Sequence, residues 1–345
     1  MKSRRMRYSL TFIILTFLVT TNLNSNENKA LDNFEKLDQE NLIEFFFNFQ
    51  YLCQKKIIFR EIRKHTSYPK FGSVKAWKNV CEKSKNSQIT KINVIQFVKK
   101  NFRFLLINKN PGLLTGYYEP TINISFEKKD TFQVPILKKN NKFKDIPREK
   151  IEKFYNLDDV LVWTDDAIDL FFLQIQGSGL GLLENGEKIK LIYDGNNNLN
   201  YRSIGKLLKD KNYLEYSNIN LFTIKDWLRK NSRKVSEVLN YNERYIFFKI
   251  KPIEEITKGA LGVNLKSNIS VAVDKKIYPY GIPFLLNIPN EKNTLVIGHD
   301  TGSAIRGANR VDLFLGSGKL SEKEAGMLKK KIYLFVMIPY IENYE

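Results

Sequence analysis

Apolar and polar positions change their rhythm along this chain, and the change divides it. Residues 42–57 read L-I-E-F-F-F-N-F-Q-Y-L-C-Q-K-K-I without glycine or proline, a length that predicts a helix although the aromatics blur its period. Residues 92–107 place Ile92, Val94, Ile95, Phe97, Val98, Phe102, Leu105 and Leu106 on one broad face and predict a second helix packed on the first. L-L-T-G-Y-Y-E-P at 113–120 reads as a strand ending at a turn. From Pro120 short apolar runs alternate with polar turns: I-N-I-S-F, F-Q-V-P-I-L, a short helix at 147–155, then V-L-V-W. L-F-F-L-Q-I-Q-G-S-G at 170–179 reads as a strand whose Gln174 and Gln176, two apart, share one polar face. Residues 189–201 read as a strand running into an Asp-Gly turn, Ser203 caps a helix, and a longer helix spans 224–239. Y-I-F-F, residues 259–265 and N-I-S-V-A-V-D at 268–274 return to strands. Ser321 with Glu324 forms a capping box before a short helix, and K-I-Y-L-F-V-M-I-P closes the pattern as a strand.

Composition narrows the class. A chain of 345 residues can hold two domains, and 43% hydrophobic with 13% aromatic residues excludes a disordered chain. The net charge of +19 attracts polyanions, but Lys and Arg form no block interleaved with aromatics and no nucleic-acid motif. The expected reading is a dispersed, lysine-heavy surface and no nucleic-acid partner. Lys2, Arg4, Arg5 and Arg7 precede a nearly all-apolar run from Tyr8 to Val19, the pattern of an export signal. That run is shorter than the ~20 residues that span a bilayer as a helix. Residues 1–25 are therefore expected to be a signal peptide or N-terminal anchor, and the protein to act outside the cytoplasm. With only two cysteines and two histidines a zinc centre is not expected. In an exported chain Cys53 and Cys81 can pair as a disulfide, the alternative being two buried thiols.

The stretch from Gly298 to Gly318, G-H-D-T-G-S-A-I-R-G-A-N-R-V-D-L-F-L-G-S-G, holds the candidate chemistry. It predicts strand, tight connection, strand, with Asp300 on the first strand and Asp312 on the second. An aspartate inside V-D-L-F-L costs free energy unless it is hydrogen-bonded, paired or protonated, which raises the question of what it does there. The bland reading is an aspartate that caps a turn.

D-T-G-S-A-I-R-G followed by R-V-D-L-F-L-G-S-G resembles the signature of the membrane-bound lytic murein transglycosylase A family, in its three-aspartate (3D) domain, with Ser303 where that family usually has a second glycine. L-T-G-Y-Y-x-P, F-F-L-Q-x-Q-G-S-G, Y-R-S-I-G-K and S-V-A-V-D resemble further family elements in the expected order, from about residue 113 to 339. Y-P-Y-G-I-P is a rearranged form of another, and Asn242-Glu243 replaces the family's N-P.

The resemblance implies a mainly β protein with helices: a double-psi β-barrel from residues 26–119 and 246–345, and a second, β-barrel-like domain inserted at 120–245. The 3D segment would cover about 260–340, with the substrate groove between the two domains. It implies a peptidoglycan lytic exotransglycosylase without cofactor or metal. Asp312 would be the single acid/base, Asp300 would orient either Asp312 or the muramyl C6 hydroxyl, and Asp274 would be a substrate contact or a structural residue. Thr115, Gly116, Tyr117, Tyr118, Gln174, Gln176 and Ser178 would line the sugar-binding groove. Tyrosine faces and amide side chains both suit carbohydrate. The expected partner is the peptidoglycan glycan strand, met by a monomer in the periplasm or cell envelope, with possible outer-membrane association through the N-terminal segment. A non-catalytic, wall-binding double-psi barrel is the alternative.

Overall fold

The computed structural model describes residues 37–215 and 219–340, so the signal or anchor expected over 1–25 lies outside the described residues. Helix α1 (Gln39–Gln54) starts where Asp38 accepts the backbone N–H groups of Glu40 and Asn41, and it buries Leu42, Phe45, Phe46, Phe49, Leu52 and Cys53. The single helix expected to residue 57 breaks at Lys56, which takes φ 55°, and α2 (Ile57–Lys64) follows. Helix α3 (Val74–Lys85) carries Cys81, which is disulfide-bonded to Cys53 of α1. Helix α4 (Lys91–Asn101) stops six residues short of the expected 107. Phe102 and Phe104 are buried on either side of an exposed Arg103, a period of two, and β1 (Phe102–Leu106) pairs with the last strand of the chain. Strand β2 (Gly112–Glu119) is the expected 113–120 element.

The inserted segment follows as β3 (Thr121–Ser125), β4 (Val134–Leu137), α5 (Arg148–Phe154), β5 (Val160–Thr164), α6 (Ala167–Gln176), β6 (Gly179–Leu182), β7 (Lys188–Asn196), α7 (Ile204–Asp210), α8 (Leu221–Lys230), α9 (Val235–Asn240) and β8 (Ile246–Lys251). Its sheet order is β4-β5-β3-β6-β7-β8, curled around Ile122, Ile124, Ile136, Val162, Leu173, Leu191 and Phe248. Strand β8 hydrogen-bonds to β7, so this sheet extends past residue 246, where the sequence boundary was expected.

Three expectations change here. The strand expected over 170–179 is helix α6: Asp166 accepts from the N–H groups of Ile168 and Asp169, and Gly177 ends the helix at φ 88°. Cap and stop outweigh the β preference of the aromatics between them. The helix expected over 224–239 is two, α8 and α9, separated by a 3-10 turn at Ser232–Lys234. The Asp-Gly pair is not a hairpin turn, because β7 runs through it with a register shift between Tyr193 and Gly195.

The chain then returns as β9 (Ser270–Ala272), β10 (Pro283–Asn287), β11 (Thr294–Asp300), β12 (Arg310–Ser317), α10 (Lys319–Met327) and β13 (Lys329–Pro339). The order β13-β10-β11-β9-β12-β2 closes when β2 pairs back onto β13, which gives a six-strand barrel with β1 added on the outside of β13. Two of its ladders are parallel, β2 with β12 and β9 with β11. Residues 259–265 form a tight loop rather than a strand, with Gly259 so close to His299 that a Cβ would meet its carbonyl oxygen at 2.5 Å. Helix α10 begins at Lys319 with no side-chain cap, and Ser321 donates instead to the carbonyl of Leu315 at 2.8 Å, so the expected capping box does not form. Among the described residues no helix is long and apolar enough to cross a membrane.

The bond between α1 and α3 closes a loop with a sequence separation of 28. Replacing both Cys53 and Cys81 by serine should cost about 2–4 kcal/mol in urea unfolding. An unchanged midpoint, or two labelled thiols in the denatured but unreduced wild type, would contradict the bridge.

Candidate active site

The parallel ladder between β2 and β12 sets Thr115 opposite Asp312 and Tyr117 opposite Phe314. The Thr115 hydroxyl donates to Asp312 Oδ1. Two residues further on, the Tyr117 hydroxyl donates to Asp300 Oδ2 at 3.0 Å. Asp300 ends β11, where the ladder to β9 is irregular, and its Oδ1 accepts from the N–H groups of Ala260 (2.9 Å) and Thr301 (2.8 Å). Tyr117, Leu265, Ala272, Ile305 and Phe314 form an apolar cluster beneath the two carboxylates. Asp300 and Asp312 themselves stay half-buried. The connection expected between their strands is the loop 301–309, in which Gly307 takes φ 100° and Ser303 is exposed without a left-handed backbone.

Both carboxyls hold their protons more tightly than free aspartate. For Asp312 burial is the main cause, opposed by the nearby Arg310 guanidinium and the Thr115 hydrogen bond. For Asp300 burial again leads, opposed by the two backbone donors and Tyr117, while the charge of Asp312 adds to the rise. The charge of Asp300 is not among the causes that raise Asp312. The third aspartate behaves in the opposite way. Asp274 is 5% exposed, accepts from Lys276 N (3.0 Å) and Gly307 N (2.9 Å), and lies 3.6 Å from Arg306. Burial works against its charge, yet those donors and cations hold it below the ordinary carboxylate range. It anchors the loop between the other two.

The remaining expected residues separate. Gly116 is needed for packing: a Cβ there would meet Leu315 Cδ1 at 2.7 Å and Ala325 Cα at 2.9 Å, so α10 could not lie on β2. Tyr118 is 2% exposed and donates to Glu322 at 2.8 Å, so its ring face is not available to a sugar. Gln174, expected beside Gln176 on a strand, points into the core from α6 at 4% exposure and donates to the carbonyl of Ile246. On a helix, positions two apart lie on different faces. Gln176 remains at the junction between the domains, where its oxygen accepts the N–H of Tyr118 at 3.1 Å. Ser178 accepts from Tyr193 N at 3.2 Å on the inserted side. His299, beside Asp300 in sequence, is buried against Ser270 Oγ at 2.8 Å, and burial lowers it to about 3, so it is a neutral core residue.

Sequence reasoning missed the residues that join the two domains. Glu119, at the last position of β2, is buried with Lys190 of β7 at 2.8 and 2.9 Å. It also accepts from Ser317 of β12 at 2.5 Å and from Thr257. Lys225 of α8 bridges Glu322 of α10 (3.0 Å) and Asp169 of α6 (2.9 Å), at the edge of a cleft of about 330 Å3 also lined by Pro120, Phe172 and Phe222. The motif's Glu before Pro could have flagged Glu119; nothing in the sequence pointed to Lys190 or Lys225.

A closed barrel that presents two aspartates beside an inserted β domain defines a two-domain class, and family models match both halves. The MltA specific insert domain matches residues 113–249 and the 3D domain residues 269–338. The membrane-bound lytic murein transglycosylase A homolog of Buchnera aphidicola subsp. Schizaphis graminum is 28% identical over 95% of this chain and 94% of its own length. The membrane-bound lytic murein transglycosylase A of Vibrio cholerae is 33% identical over 63% of this chain and 62% of its own. Among solved structures, that of Escherichia coli MltA with bound chitohexaose superposes with a TM-score of 0.67 at 25% identity, covering 82% of this chain and 88% of that one. The chain belongs to the membrane-bound lytic murein transglycosylase A family.

The pKa directions carry a sign that can be tested. A carboxyl whose folded pKa lies above its unfolded value of ~3.9 contributes stability fully below that value and loses it as pH rises through the folded pKa. Asp312→Asn should therefore raise the melting temperature at pH 7 and leave it nearly unchanged at about pH 3, below both values. A gain of equal size at both pH values, or a loss at pH 7, would contradict the assignment.

Proposed function

We propose that this chain is a lytic transglycosylase that cleaves the β-1,4 bond between N-acetylmuramic acid and N-acetylglucosamine in peptidoglycan and leaves a 1,6-anhydromuramic acid end. The observation that carries the reading is Asp312: half-buried, shifted toward its protonated form, and fixed by Thr115 beside an apolar floor. A general acid near neutral pH needs a raised pKa and a fixed donor direction.

Asp312 gives its proton to the glycosidic oxygen as the bond to muramyl C1 breaks. The same carboxylate then takes the proton of the muramyl C6 hydroxyl as O6 bonds to C1, which restores the acid and consumes no water. Asp300 has one oxygen held by two backbone N–H groups and the other by Tyr117, and we assign it to orienting the C6 hydroxyl or Asp312. Gln176 and Ser178 are the sugar contacts this reading keeps on the inserted side of the groove. Cell-envelope action follows from the family and from the basic and apolar N-terminal pattern; a periplasmic monomer held near the outer membrane by that segment is the finer form of the proposal.

Asp312→Asn should lower release of muropeptides from purified sacculi by about 100 to 10,000-fold, the loss typical for acid–base catalysis. Glycan binding should persist, since the substitution barely changes shape. Full activity in this variant would move the acid role to Asp300.

A further inference from the structure

Helices α1, α3 and α4 pack their apolar faces on β11, β13 and β1, and α2 packs on α1 and α3, away from the Thr115–Asp312 ladder of β2 and β12. The outer faces of α2, α3 and α4 are strongly basic, whereas α1 itself carries no Lys or Arg. Residues 37–111 contain 15 Lys or Arg against 5 Asp or Glu, a net +10 in 75 residues. Residues 112–340 contain 35 against 27, a net +8 in 229 residues. The excess expected to be dispersed is thus concentrated on one layer, and 14 of those 15 cations are exposed.

The kind of partner can be read from how the charge is laid out. Twelve of the 15 are lysines, spread over α2, α3, α4 and the connections beside them. Lysine is a compact, hydrated point charge, suited to diffuse attraction rather than to a fixed bidentate site. An anionic lipid surface fits poorly. The exposed aromatics of α1, Phe47 (53%) and Tyr51 (45%), share their helical stripe with Glu40 and Glu44, which a negative leaflet would repel. A polymer whose carboxylates recur along its length fits this surface, because it can meet scattered lysines without a matching plane.

We propose that the basic face formed by α2, α3, α4 and their connections is a docking surface, separate from the groove, for the free carboxylates of peptidoglycan stem peptides. This rests on the reading of peptidoglycan as substrate. The layer holds the protein on the polymer and raises its encounter rate with the wall, and it takes no part in bond cleavage.

The test is co-sedimentation of the purified chain with intact sacculi, and with glycan strands stripped of their stems, across a salt series. Wild type should lose at least tenfold in affinity for intact sacculi between about 50 and 300 mM salt, as charges are screened, and bind stem-free strands almost independently of salt. Lys55→Glu, Lys78→Glu, Lys100→Glu and Arg103→Glu together take the layer from +10 to +2 by removing eight units of charge. They should lower sacculus affinity about tenfold or more at low salt and leave turnover of short stem-free muramyl glycans unchanged. Should that variant fail to fold, the four corresponding glutamine replacements remove half as much charge and should show a correspondingly smaller loss. Salt-independent sacculus binding, equal affinity for stripped and intact strands, or tighter binding to phosphatidylglycerol vesicles than to sacculi would overturn the proposal. A wild type that binds in this salt-dependent way but releases no anhydro-muropeptides would contradict the enzymatic reading and leave the docking surface standing.

Discussion

The structure depends on how one strand is paired. β2 lies parallel to β12 on one side and antiparallel to β13 on the other, and that double pairing closes the barrel. The same register sets Thr115 against Asp312 and brings the Tyr117 hydroxyl to Asp300. A slip of one residue would turn Thr115 and Tyr117 to the opposite face and dismantle the site while keeping the fold. At the end of β2, Glu119 reaches across to Lys190 of the inserted sheet and back to Ser317 of β12. A buried ion pair of this kind is weak evidence of net stability, but losing one partner leaves an uncompensated charge at a cost of about 3–5 kcal/mol. Its effect is geometric: the strand that holds Thr115 against Asp312 also fixes where the second domain starts.

Three aspartates in one barrel illustrate how environment assigns roles. Asp274 accepts a backbone N–H on each oxygen and faces Arg306, and it is held in its charged form. Asp300 has three donors and a carboxylate neighbour, and burial outweighs the donors and raises it. Asp312 has one hydroxyl donor and one cation against the desolvation of its surroundings, which leaves it the least supported as an anion. That imbalance is a cost to the fold and the means by which the group can release a proton and take another.

Asp300 and Asp312 were legible as candidates because the sequence placed them where an aspartate is out of keeping with its neighbours, between glycines and apolar β-formers. Strands β2, β11, β12 and β13 were legible from their runs of apolar β-formers and the turn residues that bound them. Gln174 was misplaced because F-F-L-Q-I-Q has the composition of a strand, while the decisive signals were Asp166 before it and Gly177 after it. Tyr118 was misread because an aromatic in a motif looks the same whether its ring faces a groove or, as here, is covered and reaches Glu322. The links between the domains were invisible for a different reason. Glu119 and Lys190 are 71 residues apart, and nothing local to either tells that they meet. The concentration of positive charge on the helical layer needed the fold as well, since a count along the chain does not show that α1–α4 cover one side of the barrel.

The central claim is that one aspartate serves as acid and then as base while a hydroxyl of the sugar itself closes the ring. Digestion of sacculi in water labelled with heavy oxygen, followed by mass spectrometry of the released muropeptides, tests it most directly. The account predicts products lighter by one water than hydrolytic ones, with 1,6-anhydro ends and no heavy oxygen. Reducing ends that each carry one heavy oxygen would contradict it and make the chain an ordinary glycoside hydrolase.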